Sequence, residues 1–148
     1  MDKKEIWKFI IFCFVGGTSA LIHFSIFSLF YYIILDAFIK TNILTFGVSI
    51  KDIVSYMMGV IVSITYNFSM NRNITFSAKH ISIKKQLPKY LIVYALSIGV
   101  GLIVNMIIIN IVGETGLNSL IATLCGILAS IPVSFIGSLL WTFKNKNT

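Results

Sequence analysis

The sequence predicts an all-α membrane protein. Four transmembrane helices are expected, arranged as two tandem parallel two-helix repeats with the N- and C-termini cytoplasmic. The first observation behind this is composition. Of 148 residues, 57% are hydrophobic and only 11% are charged, with a mean hydropathy of +0.91. Ordinary soluble domains run near a quarter charged. The second is the spacing of the charges. They leave four uncharged runs, Phe9–Leu35, Ile53–Asn71, Tyr90–Gly113 and Thr115–Phe143, of 27, 19, 24 and 29 residues, which fill 99 of the 148 positions. A membrane-spanning helix needs about 20 apolar residues, so each run makes one span and almost nothing remains for a soluble domain. The third is the side on which the charges fall. Disorder, a disulfide scaffold and a water-soluble enzyme are excluded by the same arithmetic, and residues 1–148 read as a single transmembrane domain.

The net charge of +7 is not that of a nucleic-acid binder, because it is sorted by position. Lys3, Lys4 and Lys8 precede the first run. Arg72, Lys79, Lys84, Lys85 and Lys89 lie between the second and third, and Lys144 and Lys146 follow the fourth. With Asp2 and Glu5 counted, this side carries +8; the other, with Lys40, Lys51, Asp36, Asp52 and Glu114, carries −1. The positive-inside rule then puts both termini and the middle loop in the cytoplasm, and basic residues there also attract anionic headgroups. Thr18-Ser19-Ala20 resembles a signal-peptide cleavage site, but apolar sequence continues for 15 residues past it, where a cleaved signal would end.

Helix one is expected over about 9–35, bracketed by Trp7 and by Tyr31 and Tyr32 as interfacial aromatics. The connection over 36–52 mixes charged and apolar residues, and part of it is expected along the membrane surface. Helix two, about 53–71, barely spans, which places Arg72 at the inner interface. The loop over 77–89 is basic and short, with Ile81, Ile83 and Leu87 on one side of a small interfacial helix. Pro88 suits the first turn of helix three, where its missing donor costs nothing. Helix three is expected over about 90–112 and helix four over 119–141, kinked by Pro132. Cys13 and Cys125 fall inside helices with no neighbouring His or Cys and read as small hydrophobes. No metal site or cofactor is expected.

The polar and small residues say which faces meet. In helix two, Ser55, Gly59, Ser63, Asn67 and Asn71 recur every four residues and share a face. In helix four, Ala122, Gly126, Ser130, Ser134 and Ser138 do the same, 67 positions further on throughout. The same shift brings Phe68 onto Phe135, Thr75 onto Thr142 and Phe76 onto Phe143. Helix three has a shorter ladder, Ser97, Gly101 and Asn105, and helix one has Gly16, Ala20 and His23; the register between these two is open. Small residues at such spacing pack membrane helices closely, and their polar members bond across. The second copy has Ser134, Ser138 and Leu139 where the first has Asn67, Asn71 and Arg72, so one half is specialised.

The segment Tyr66–Phe76, YNFSMNRNITF, resembles the end of the second helix in the GtrA-like family. FVGGTSALIHF at Phe14–Phe24 resembles that family's first helix, and SFIGSLLWTFK at Ser134–Lys144 its second copy. Asn73-Ile74 departs from the aromatic that often precedes Thr-Phe, and the second copy lacks the Asn and Arg often seen there. The resemblance implies a part in translocating polyprenyl-phosphate-linked sugars across the cytoplasmic membrane of a bacterium. Those sugars decorate O-antigen, teichoic acid or another cell-wall polysaccharide, and the partners implied are the glycosyl polyprenyl phosphate itself and a membrane glycosyltransferase. The label flippase goes with this role.

The residue chemistry agrees. An anionic head needs a cation at the inner interface and uncharged hydrogen-bonding groups deeper in. Arg72 offers a planar donor fork, Asn67 and Asn71 offer amides for phosphate or sugar hydroxyls, and Lys84, Lys85 and Lys89 attract the headgroup. His23 is the intramembrane side chain of the type that titrates near neutral pH; hydrogen bonding to a neighbouring helix and a proton relay are its two readings. A proton-coupled exporter would use an intramembrane carboxylate, and none of the four runs contains Asp or Glu. An enzyme would need a Cys/His cluster, paired carboxylates or a phosphate-cradling loop, and none is present. The remaining alternative is a non-transporting scaffold for the glycosyltransferase. Four helices also leave room for a homodimer.

Overall fold

The computed structural model describes residues 2–35, 44–45, 48–113 and 115–144. Contacts within the chain group it into two units, Met1–Thr75 and Phe76–Thr148. Four helices are long and apolar enough to cross a membrane: Lys3–Ile34, Ile50–Thr75, Ile83–Val112 and Gly116–Thr142. All four expected spans are present, and the first three run beyond the uncharged stretches that mark them.

In the first unit, α1 spans Lys3–Leu29 and widens into a π-helical segment at Phe30–Ile34. It starts six residues before Phe9 because Asp2 and Glu5 form a capping box. The Glu5 backbone N–H donates to Asp2 Oδ1 at 2.8 Å, and the Asp2 N–H donates to Glu5 Oε2 at 3.2 Å. Two donors that a helix start leaves orphaned are thereby satisfied, and Lys3, Lys4 and Lys8 become helical. Most of the 36–52 connection, with Asp36, Lys40 and Asn42, lies outside the described residues. Its described part holds a short departure from an all-helical chain: β1 (Leu44–Thr45) pairs antiparallel with β2 (Val48–Ser49). The second helix, α2, spans Ile50–Met70, taking in Lys51 and Asp52, and widens into a π segment at Asn71–Thr75.

These two helices meet along the stripe expected on α2, where Ser55, Gly59, Ser63 and Asn67 are all buried. On α1 the seam differs from the expected ladder. Phe12, Val15 and Ser19 are buried, whereas Ala20 is exposed and a Cβ on Gly16 would meet nothing within 4 Å. Ser19 Oγ donates to the Ser63 carbonyl at 2.9 Å, and the hydroxyls of Thr18 and Tyr66 lie 3.1 Å apart. Hydrocarbon offers no competing partners, so such bonds hold helices together where burial from lipid cannot.

In the second unit, α3 spans Ile83–Val112. The basic segment is therefore no separate interfacial helix: from Ile83 onward it is the first two turns of the span. Pro88 is the sixth helical residue rather than part of the first turn, and it leaves the Lys84 carbonyl without its helical donor. Gln86 explains the early start. It is fully buried and its Nε2 donates to the Ala78 carbonyl at 3.1 Å, tying the preceding loop to the helix. The last helix, α4, spans Gly116–Gly137 and widens into a π segment at Ser138–Thr142. Pro132 lies inside it, as expected. The connection is tight. Gly113 takes φ 79°, which favours glycine, and Asn118 Nδ2 donates to the carbonyls of Val112 and Gly113 at 2.9 and 3.0 Å. Glu114 lies outside the described residues, as does Lys146.

The α3–α4 seam closes on glycine. A Cβ on Gly126 would stand 2.5 Å from the Gly101 carbonyl oxygen, and one on Gly101 would stand 3.0 Å from that of Gly126. Both expected seam residues thus have a reason to lack a side chain. Gly126→Ala should lower the thermal midpoint of the purified protein, at a cost of about 1–3 kcal/mol for overpacking. Gly99→Ala, where a Cβ would meet nothing within 4 Å, should leave the midpoint within error.

The internal repeat extends to backbone geometry. The π segments Asn71–Thr75 and Ser138–Thr142 are 67 positions apart, the offset read from the polar stripes. The first helices follow another register. Phe12, Val15 and Ser19 are buried on α1, and Tyr90, Val93 and Ser97 on α3, each 78 positions further on. The difference of 11 residues lies in the connections, the long one after α1 and the short one after α3.

Candidate functional site

The end of α2 concentrates the polar chemistry of the first unit. Asn71 is fully buried and Asn67 is 9% exposed. Asn71 Nδ2 donates to Asn67 Oδ1 at 2.5 Å, and Thr75 Oγ1 donates to Asn71 Oδ1 at 2.9 Å. Three side chains at four-residue spacing therefore form one buried ladder. The π segment helps align them. In an α-helix a step of four residues overshoots a full turn by about 40°; a π turn holds more residues and takes the stripe back. Thr75 stays on the line of Asn67 and Asn71. Single-turn π segments are rare and concentrate at functional sites.

Arg72 sits on this wide turn, half-buried, beside the ladder rather than in it. Its Nη1 donates to Asn73 Oδ1 at 3.4 Å, and Asn73 is exposed. The expected trio therefore separates into two kinds of residue. The two amides are committed to a buried seam, and the guanidinium stands at its margin.

Lys85 and Lys89 belong to the second unit. Lys85 is exposed on the first turn of α3, and Lys89, half-buried, holds its Nζ 5.8 Å from the centre of the Trp141 ring. That distance is a cation–π contact. Beside it an aromatic cluster closes the same end of the unit. Phe76 stacks on Phe143 at 4.8 Å, and Phe135 and Tyr90 lie 6.0 Å from Phe76 and Phe143 respectively.

The copy of the ladder in α4 keeps its burial and loses its bonds. Ser138 and Thr142 take the places of Asn71 and Thr75, and both are buried. Ser138 Oγ and Thr142 Oγ1 have no hydrogen-bond partner among the described residues. Serine is too short to reach the next rung. Ser134, half-buried, takes the place of Asn67, and Ser130, also half-buried, donates to the Ile127 carbonyl of its own helix. On α3, Ser97 is buried and donates to the Val93 carbonyl at 2.7 Å, while Asn105 Nδ2 reaches Thr123 Oγ1 at 3.2 Å.

A family model described as GtrA/DPMS, transmembrane domain, matches residues 11–104 and 94–148. The chain belongs to this family. It is a multi-pass membrane protein with four helices suited to cross the bilayer. A search of curated proteins finds no match.

His23 packs against α2. Its ring fills the space that Gly59 leaves, 3.0 Å from where a Cβ would stand, and meets Tyr56 edge-on at 5.2 Å. Gln86 was not singled out from sequence. An uncharged amide among lysines was its only signal, and its burial could not be read from its neighbours. Asn71→Leu should lower the thermal midpoint, because it removes the buried bonds to Asn67 and Thr75, at about 0.5–1.5 kcal/mol each. Asn73→Leu, on the exposed neighbour, should leave it unchanged.

Proposed function

We propose that the protein translocates, or assists in translocating, a polyprenyl-phosphate-linked monosaccharide across a bacterial cytoplasmic membrane. The sugar then serves glycosylation of a cell-surface polymer such as O-antigen or teichoic acid. The protein itself catalyses no bond change, and a membrane glycosyltransferase supplies the lipid-linked sugar. Both termini and the 77–82 loop face the cytoplasm, and the two helix pairs run in the same direction.

The observation that carries this reading is Arg72. It stands half-buried on the π turn that carries two rungs of the buried ladder, Asn71 and Thr75, in a chain of this family. A guanidinium donates in a fork that fits phosphate oxygens. Asn67 and Asn71 form the buried polar seam beside which the Arg72 guanidinium stands. Lys85 and Lys89 add positive charge for the headgroup, worth about 1 kcal/mol per basic residue near an anionic surface.

The decisive measurement is transfer of a labelled glycosyl polyprenyl phosphate between leaflets of proteoliposomes. Arg72→Ala should cut the transfer rate at least tenfold at unchanged protein level, with Arg72→Lys intermediate because it keeps the charge and loses the fork. Unchanged transfer in Arg72→Ala removes the assigned site. If no leaflet transfer occurs with the native chain but Arg72→Ala breaks its complex with the glycosyltransferase, the chain is a scaffold. For topology, a cysteine at residue 80 in a cysteine-free background should react with an impermeant maleimide only from the cytoplasmic side.

A further inference from the structure

The second unit carries a shallow, open cleft of mixed polar and apolar lining far from its π segment. Six residues line it, Asn105, Met106, Ile109 and Asn110 from α3 with Ser119 and Thr123 from α4, around a volume of about 370 Å³. Ligand clefts begin at about this size. Asn105 and Thr123 each lie seven residues from their helix ends at Val112 and Gly116, about 10 Å into the span at helical rise. The cleft is some 15 residues from Ser138, or about 22 Å along α4.

Its chemistry is unlike that of Arg72. No lining residue is charged. Four of the six offer amides or hydroxyls, groups that between them donate and accept. Asn105 gives one donor to Thr123 and leaves its second donor and its carbonyl oxygen without a partner among the described residues. Polar groups exposed at that depth are costly in hydrocarbon. Met106 and Ile109 supply an apolar wall, and methionine adapts to irregular shapes. Phosphate finds no cation here. A sugar ring, with hydroxyls at its edge and C–H groups on its face, finds both things that it needs.

We propose that this cleft is a sugar subsite, occupied by the uncharged hydroxyl-rich head of the lipid-linked substrate. The inference rests on the function proposed above and adds a second station with different chemistry. Asn105 and Thr123 bind the hydroxyls deepest in the membrane, and Asn110 and Ser119 bind those nearer the helix ends.

The test uses the full chain in lipid nanodiscs and five photoprobes with a diazirine in a dodecyl chain: a glucoside, a galactoside, a mannoside, dodecyl phosphate, and dodecane. At least one hexoside should label the 105–123 segment, with labelling cut tenfold or more in Asn105→Leu and in Thr123→Val and kept within twofold in Arg72→Ala. Thr123→Val preserves shape and serves alone if Asn105→Leu fails to fold. Equal labelling by dodecane, or labelling indifferent to both variants, overturns the proposal. So does loss of a cross-linked dimer in Asn105→Leu without hexoside labelling, since the cleft is then a helix interface. Hexoside labelling without phosphate labelling near Arg72 supports the cleft and removes the reading at Arg72. Phosphate labelling alone does the reverse.

Discussion

Helices surrounded by hydrocarbon gain little from turning apolar faces towards each other, because lipid tails are as apolar as leucine. The pairs in this protein must be held by close approach and by polar bonds, and the distribution of residues follows. Outward positions are large and apolar: Phe14, Leu21, Leu102, Leu124 and Ile136 are all exposed. Inward positions mix a few large apolar residues, such as Phe12 and Phe68, with small and polar ones. Gly101 and Gly126 bring two backbones together, Ser19 reaches the Ser63 carbonyl, and Asn71 ties Asn67 to Thr75. A soluble protein is built the other way, with its polar groups outside.

The same constraint ties the repeat to the candidate site. Both units need a seam of small residues, so the four-residue stripes survive in both. The ladder of amides is present in only one. Arg72, at the margin of that ladder, has Leu139 as its counterpart, and the charge is likewise confined to one half. The second half has its own polar feature at the other end, where Asn105, Asn110, Ser119 and Thr123 surround a cleft. The amide ladder thus lies at the C-terminal end of α2, and the cleft lies where α3 ends and α4 begins.

Much of this was legible in the sequence. Uncharged runs located every span, because length and apolarity are all that a bilayer demands. The stripe on α2 was legible because its members differ in kind from their neighbours. The seam on α1 was not: Phe12 and Val15 look like any lipid-facing residue, whereas the small Gly16 and Ala20 are not among its buried residues. Helix ends escaped for another reason. Asp2, Glu5 and Gln86 extend helices through charged sequence by specific hydrogen bonds, which hydropathy does not record. Arg72 and its two asparagines stand out in the sequence by their chemistry alone. That the asparagines are buried and bonded to each other required coordinates, as did the pairing of Asn105 with Thr123, which are 18 positions apart.

The π turn at Ser138–Thr142 has a consequence for its counterpart in α2. It forms at the same register without a single amide, and with two buried hydroxyls left unmet. The molecule thus contains its own control experiment. Widening of the helix end does not depend on Asn67 or Asn71, since the half that lacks them widens too. Selection to hold a backbone shape would have had no need of those side chains. The amides are a surplus over what the wide turn itself requires, carried where each polar atom taken into hydrocarbon has a cost.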